Sequence, residues 1–128
     1  MLSADFTSAL PDSDSRFAAV ATSWFIDTAH SIFEYIEEIH RLLKPGGVWI
    51  NIGPLTYHYS DMDGEVSVEL PFEEVVRIIG RKGFRVETRE KVNSMYASDD
   101  RAMLKYVYEC GFFVAVKEVP EEVQGEVP

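Results

Sequence analysis

Residues 17–52 read FAAVATSWFIDTAHSIFEYIEEIHRLLKPGGVWINI, and the order of patterns inside this stretch decides the fold. Phe17 to Ile26 is an almost unbroken apolar run, bounded upstream by the turn-rich Pro11-Asp12-Ser13-Asp14-Ser15. Such a run predicts a central strand of a parallel sheet, buried on both faces. Asp27 and Thr28 then offer N-cap oxygens, and Ile32, Ile36, Ile39 and Leu43 recur at helical spacing with Tyr35 and Leu42 beside them. A helix follows. Lys44-Pro45-Gly46-Gly47 stops it, Val48 to Ile52 repeats the buried-strand pattern, and Gly53-Pro54 turns the chain away from the sheet. The result is one strand, helix, strand unit.

Downstream, Leu55 to Asp63 is polar and aromatic without period, a loop leaving the carboxyl end of the second strand. Ligands of α/β sheets bind at that edge. Phe72, Val75, Val76 and Ile79 mark a second helix, with Pro71 suited to its first turn and Gly83 to its stop. A third strand is expected at Phe84 to Thr88 and a fourth at Tyr106 to Val116. The linker between them has no long helical pattern, so antiparallel pairing is the simpler reading. The tail from Lys117 to Pro128 (KEVPEEVQGEVP) combines acid, proline and glycine and reads as disordered, leaving a domain over residues 1–116.

With 128 residues the chain suffices for one small domain. Its 46% apolar and 27% charged content is ordinary for a globular protein. A formal net charge of −10 with the twelve basic residues scattered argues against nucleic acid, whose backbone needs clustered Lys and Arg. The single cysteine, Cys110, excludes an intrachain disulfide and any multi-cysteine metal site. No signal peptide or membrane-length apolar run is found, so the chain reads as an intracellular protein without a membrane partner, placed in the cytoplasm or also the nucleus.

Several side chains can carry chemistry. A helix starting directly after a buried strand puts Asp27 at the carboxyl edge of the sheet, although an aspartate there most often serves only as a cap. His30 falls in the first turn of that helix, where a structural role is the ordinary one. His58, within Leu55-Thr56-Tyr57-His58-Tyr59, suits an imidazole acid, base or hydrogen-bonder, but alone it is a surface histidine. Tyr106 and Tyr108 stand two apart on the expected fourth strand, so they face one side and can wall a pocket or simply pack in the core. Trp24 and Trp49 lie inside buried-strand patterns and read as core. No zinc spacing, phosphate loop, Gly-x-Ser-x-Gly elbow or Gly-x-Gly-x-x-Gly fingerprint is present. These residues by themselves do not name a reaction.

SWFIDTAHSIFEYIEEI, LLKPGGVWINIGPLTYH, VSVELPFEEVVRIIGRKGF and KYVYEC, in this order and spacing, resemble the C-terminal portion of the carnosine N-methyltransferase family. The likeness runs from about Asp5 to Val116. LKPGG is shared by many class I methyltransferases, whereas FIDTAH and INIGPLTYH are far more specific. The resemblance implies the second half of a doubly wound, Rossmann-like sheet: strand four, its helix, strand five, its helix, and a final pair whose last strand is antiparallel. On this reading the first three strands are absent, and with them the glycine-rich loop and the ribose-binding acid.

The same resemblance implies S-adenosyl-L-methionine as cosubstrate, with Asp5 and Phe6 at the adenine edge and Ser23 beneath the bound molecule. It implies Asp27 and His58 as catalytic and substrate-binding residues, Tyr106 and Tyr108 as further substrate contacts, and no metal. The reaction would methylate an imidazole nitrogen of carnosine, giving anserine, or of a related histidine-containing peptide. Ser23 stands where animal members carry a cysteine, and Pro71 replaces a serine-like cap. Losing strand one as a neighbour would expose a sheet edge and favour self-association. Two other readings stay open: a catalytically inactive fragment, and a small binding module that keeps the half-sheet.

Overall fold

The strand, helix, strand unit forms as its pattern predicts, with shifted ends. The structure, a computed structural model, describes residues 3–120. β1 spans Phe17–Ser23, α1 Ile32–Leu42, β2 Leu43–Gly53, α2 Phe72–Arg81, β3 Phe84–Ser94 and β4 Tyr108–Lys117, with single 3-10 turns at Phe6–Ser8 and Ile26–Thr28. The strands lie in the order β1-β2-β4-β3. β1 pairs with β2 in parallel, and β4 is antiparallel to both β2 and β3.

Helix α1 buries Ile32, Ile36, Ile39 and Leu42, and α2 buries Val75, Val76 and Ile79. These stripes meet Trp49, Phe84, Phe113 and Ala115 of the sheet in one core. Burial of this apolar surface is the main stabilising term. A polar chain crosses three strands inside it. Trp49 Nε1 donates to Thr22 Oγ1 at 2.9 Å, Thr22 Oγ1 donates to Asn51 Oδ1 at 2.8 Å, and Asn51 Nδ2 donates to the Gly111 carbonyl at 3.3 Å. Among the described residues no buried side-chain nitrogen or oxygen lacks a partner, so this chain is satisfied and holds the strand register.

Several sequence expectations are corrected. The first strand ends at Ser23 rather than Ile26, because Trp24 adopts φ 52°, a left-handed turn that breaks the extended run. β1 is not buried on both faces: it is an edge strand whose residues are mostly exposed. The opposite side of the sheet is also uncovered among the described residues, since Ile50 is 42% exposed and Ile52, Phe112 and Val114 are half-buried beside it. Lys44 to Gly47 does end the helix, but as a bulge: Phe17 pairs with Leu43 and Ala19 with Val48, so the four residues loop out between two paired positions. Pro71 is the N-cap of α2, not a first-turn residue.

The last pair of strands is longer and shifted. β3 runs to Ser94, well past Thr88, because its charged residues need only one paired edge and no core. β4 starts at Tyr108, so Tyr106 precedes it and is 67% exposed. Lys117, expected in the tail, closes β4 and caps α1, its Nζ donating to the His40 and Leu43 carbonyls at 2.7 and 2.8 Å. The rest of the expected tail beyond Pro120 lies outside the described residues. No described helix is long and apolar enough to cross a membrane.

Candidate functional site at the carboxyl edge of the sheet

The chain leaves β1 through Trp24, whose positive φ and whose amide bond to the Ile52 carbonyl at 2.8 Å fold the next residues back over the sheet edge. Gly53 makes this close approach possible, because a Cβ there would sit 2.9 Å from the Trp24 nitrogen. The 3-10 turn Ile26–Thr28 then drops Asp27 inward, leaving it 2% exposed. Asp27 is therefore not the N-cap of α1, which begins five residues later after Ser31. Its carboxylate serves the loop after β2 instead: Oδ2 accepts from the Thr56 amide at 3.0 Å and from the Thr56 hydroxyl at 2.7 Å.

That loop is anchored at both of its neighbours. The His58 amide donates to the Asp27 carbonyl at 3.1 Å. Tyr57, in a left-handed conformation with φ 44°, buries its ring and sends its hydroxyl to Leu70, donating to the carbonyl and accepting from the amide at 3.0 Å. Burial pushes the Tyr57 phenol above its ordinary 10.0, the Leu70 bond opposes this, and the Asp27 charge adds to the rise. Cys110 is likewise pushed up, by burial first and then by Asp27. The backbone thus holds His58 beside a buried carboxylate while its own side chain stays exposed.

Asp27, Thr56, His58 and Tyr108 line one hollow of about 260 Å³, completed by Trp24, Pro54 and Tyr96. Asp27 Oδ1 takes no hydrogen bond from the described residues, which makes it the oxygen available to a ligand. Trp24 meets Tyr108 and Tyr96 edge to face, with ring centroids 5.0 and 5.3 Å apart. The hollow pairs one fixed anionic acceptor with aromatic walls and an exposed imidazole, a combination that orients a small ring bearing an N–H and favours positive charge on it. Among the described residues no cluster suits a metal ion.

The structure brings together three of the four residues expected to contact substrate. Tyr106 is not among them: it borders a neighbouring hollow, because β4 starts two residues later than its pattern suggested. Four lining residues carried no site expectation: Pro54 and Thr56 from the loop after β2, Trp24 and Tyr96. Trp24, expected in the core, is a wall of the site, while Trp49 is fully buried as expected. Tyr96 comes from the segment after β3, where no periodicity marked it. His30 precedes α1 rather than opening it, and stacks on Tyr59 at 3.6 Å with Nε2 2.7 Å from Glu65 Oε2, which ties down the loop after β2.

The other expected contacts lie along the same edge. Asp5 Oδ1 accepts from the Thr7 amide and hydroxyl at 3.0 and 2.8 Å, and these bonds hold its carboxyl below the ordinary value of 3.8. Phe6 packs edge-on to Phe25 and Tyr35, with centroids 5.3 and 5.1 Å away. Ser23 ends β1 and is exposed.

A family model described as carnosine N-methyltransferase matches residues 1–119. The chain is 48% identical over 99 residues to the carnosine N-methyltransferase of Rattus norvegicus, covering 77% of this chain and 25% of the rat protein. It is 38% identical over 120 residues to that of Dictyostelium discoideum, covering 94% of this chain and 25% of the relative. The chain thus spans about a quarter of the length of these curated relatives. Among solved structures, an SAM-dependent methyltransferase from Methanosarcina mazei matches with TM-score 0.66 and 15% identity, over 91% of this chain and 66% of that one. Burkholderia thailandensis 1,6-didemethyltoxoflavin-N1-methyltransferase, solved with S-adenosylhomocysteine, matches with TM-score 0.61 and 15% identity, over 92% and 50%. These structural likenesses concern the fold, a four-stranded part of a Rossmann-like methyltransferase sheet. The sequence match carries the rest: this chain belongs to the carnosine N-methyltransferase family.

Proposed function

We propose that this chain forms the acceptor-binding part of an S-adenosyl-L-methionine-dependent enzyme that methylates an imidazole nitrogen of carnosine, giving anserine, or of a related histidine-containing peptide. The observation that carries the reading is the single hollow in which Asp27, His58 and Tyr108 converge. An imidazole seated there donates its N–H to Asp27 Oδ1. That bond fixes the tautomer and keeps the lone pair of the other ring nitrogen free to attack. As positive charge grows on the ring, the Asp27 carboxylate and the faces of Trp24 and Tyr108 stabilise it. His58 stands at the mouth beside the same N–H and takes that proton from the methylated, positively charged ring, so that the product leaves neutral.

S-adenosyl-L-methionine, when bound, supplies the methyl group from its sulfonium. The residues present fit one end of it. Asp5 is exposed and gives only Oδ1 to Thr7, which leaves Oδ2 for the adenine amine. The Phe6 amide suits a ring nitrogen of the base, and the exposed Ser23 lies at the end of β1, where the cosubstrate of such sheets rests. We infer further that the chain on its own self-associates through β1 and the uncovered apolar face.

The test is methylation of carnosine by the full-length Dictyostelium discoideum relative with this chain in place of its matching segment. Conversion to anserine that depends on Asp27 and His58 supports the reading. A cooperatively melting chimera that leaves carnosine unmethylated overturns it.

A further inference from the structure

The imidazole hollow does not end at its tyrosines. A second hollow of about 400 Å³ adjoins it, and Tyr96 and Tyr108 are walls of both. This second space is formed by the segment between β3 and β4, which also contributes Leu104, Lys105 and Tyr106. Its charge is one-sided. Asp99, the acidic residue in its lining, is already paired with Arg101, the guanidinium lying 3.1 Å from Oδ1. Lys105 makes no ion pair or hydrogen bond among the described residues, and it is the basic side chain of the lining.

We propose that the second hollow receives the peptide part of the acceptor and that Lys105 pairs with its carboxylate. The inference rests on the reading of the first hollow as the imidazole site. In a C-terminal histidine the carboxylate hangs on the Cα directly beyond the ring's methylene. A ring held between Asp27 and Tyr108 therefore projects its carboxylate past the shared tyrosines, where the unpaired ammonium lies. Leu104 and Tyr106 cover the methylene and Cα that lie between. Lys105 acts as a specificity residue: it selects an acceptor with a free carboxyl group over one that is capped, and takes no part in the methyl transfer itself.

Carnosine and its C-terminal amide separate this role from a structural one. In the full-length chimera, the amide is expected to show a KM about twofold to fivefold above that of carnosine, the scale of an exposed ion pair. Lys105→Met should raise the KM and the dissociation constant for carnosine by the same factor, leave kcat near its original value, and leave the amide unaffected. Lys105→Arg should restore most of the discrimination. Equal KM values for carnosine and its amide in the unsubstituted protein, or an equal rise for both in Lys105→Met, would overturn the role while leaving the imidazole site intact. Methylation of neither compound by a folded chimera removes the imidazole reading, and this inference with it.

Discussion

Asp27 Oδ2 accepts two hydrogen bonds from one residue, the Thr56 amide at 3.0 Å and the Thr56 hydroxyl at 2.7 Å. Both donors come from the loop after β2, so the carboxylate joins the exits of two neighbouring strands and points its remaining oxygen one way. A buried charge so held is already oriented when a ligand arrives.

Asp27→Asn should therefore lower turnover about a hundredfold or more in the chimeric enzyme, measured per folded molecule, because the fixed negative charge facing the ring is lost. Thr56→Val keeps the amide bond and loses the hydroxyl. Its expected cost is about 1 kcal/mol of orientation, or roughly fivefold in turnover. Near-normal rates in both variants would remove Asp27 from the chemistry.

Within the hollow, His58→Ala should resemble Asp27→Asn in turnover, whereas Tyr108→Phe keeps its ring beside Trp24 and should mainly raise KM. Tyr106→Phe is the discriminating control. Placed outside the strand and the imidazole hollow, it should leave kcat unchanged. A kcat loss in Tyr106→Phe as large as that in His58→Ala would instead put the Tyr106 hydroxyl at the reacting ring and refute its place outside the imidazole hollow.

Thr22→Val should destabilise the fold by about 2 kcal/mol, read by urea unfolding with an unchanged m-value. The hydroxyl accepts from Trp49 Nε1 and donates to Asn51 Oδ1, and both partners are buried, so its loss strands two polar atoms at once. A variant as stable as the parent would show that the three-strand chain does not set the register.

His40 gives a pH test. Burial, and then the nearby Lys117 charge, push its pKa below the ordinary 6.5, opposed in part by a hydrogen bond with the Gly83 backbone. The unfolded chain then binds the proton more readily than the folded one. The stability this group contributes is full above about pH 6.5 and is lost as pH falls through the lower folded value. Urea midpoints of the parent should fall faster than those of His40→Gln below pH 6.5. Parallel curves would refute the burial argument.

Expressed by itself, the chain should sediment as a concentration-dependent oligomer, because among the described residues nothing pairs with the outer edge of β1 and nothing covers the apolar face that holds Ile50. Ile50→Lys should shift the distribution toward monomer. A monodisperse monomer over a wide concentration range would count against association through this face.

The elements that bury a stripe were readable from the sequence. Ile32, Ile36 and Ile39 repeat at helical spacing because they meet one core, and Val48 to Ile52 is apolar because it lies mid-sheet. The failures came where apolar character and backbone direction part. Trp24 continues the apolar run of β1 while its backbone turns left-handed, so hydropathy alone could not separate a strand residue from a site wall. Asp27 looked like a helix cap because helices commonly follow such residues, and only the fold shows that its partner is Thr56, 29 positions away. Tyr96 had no local signal at all, since its place depends on how β3 and β4 pair.

β4 is the last strand among the described residues yet lies between β2 and β3. During synthesis β1, α1 and β2 emerge before α2 and β3, and the second group has no strand to join until residues 108–117 emerge. Between the emergence of Ser94 and that of Lys117 the nascent chain therefore carries two unconnected pieces, each with an unpaired edge open to chaperones or to premature pairing. A stop codon between Ser94 and Tyr108 would remove the ten residues of β4 and leave β3 and α2 without a sheet to join.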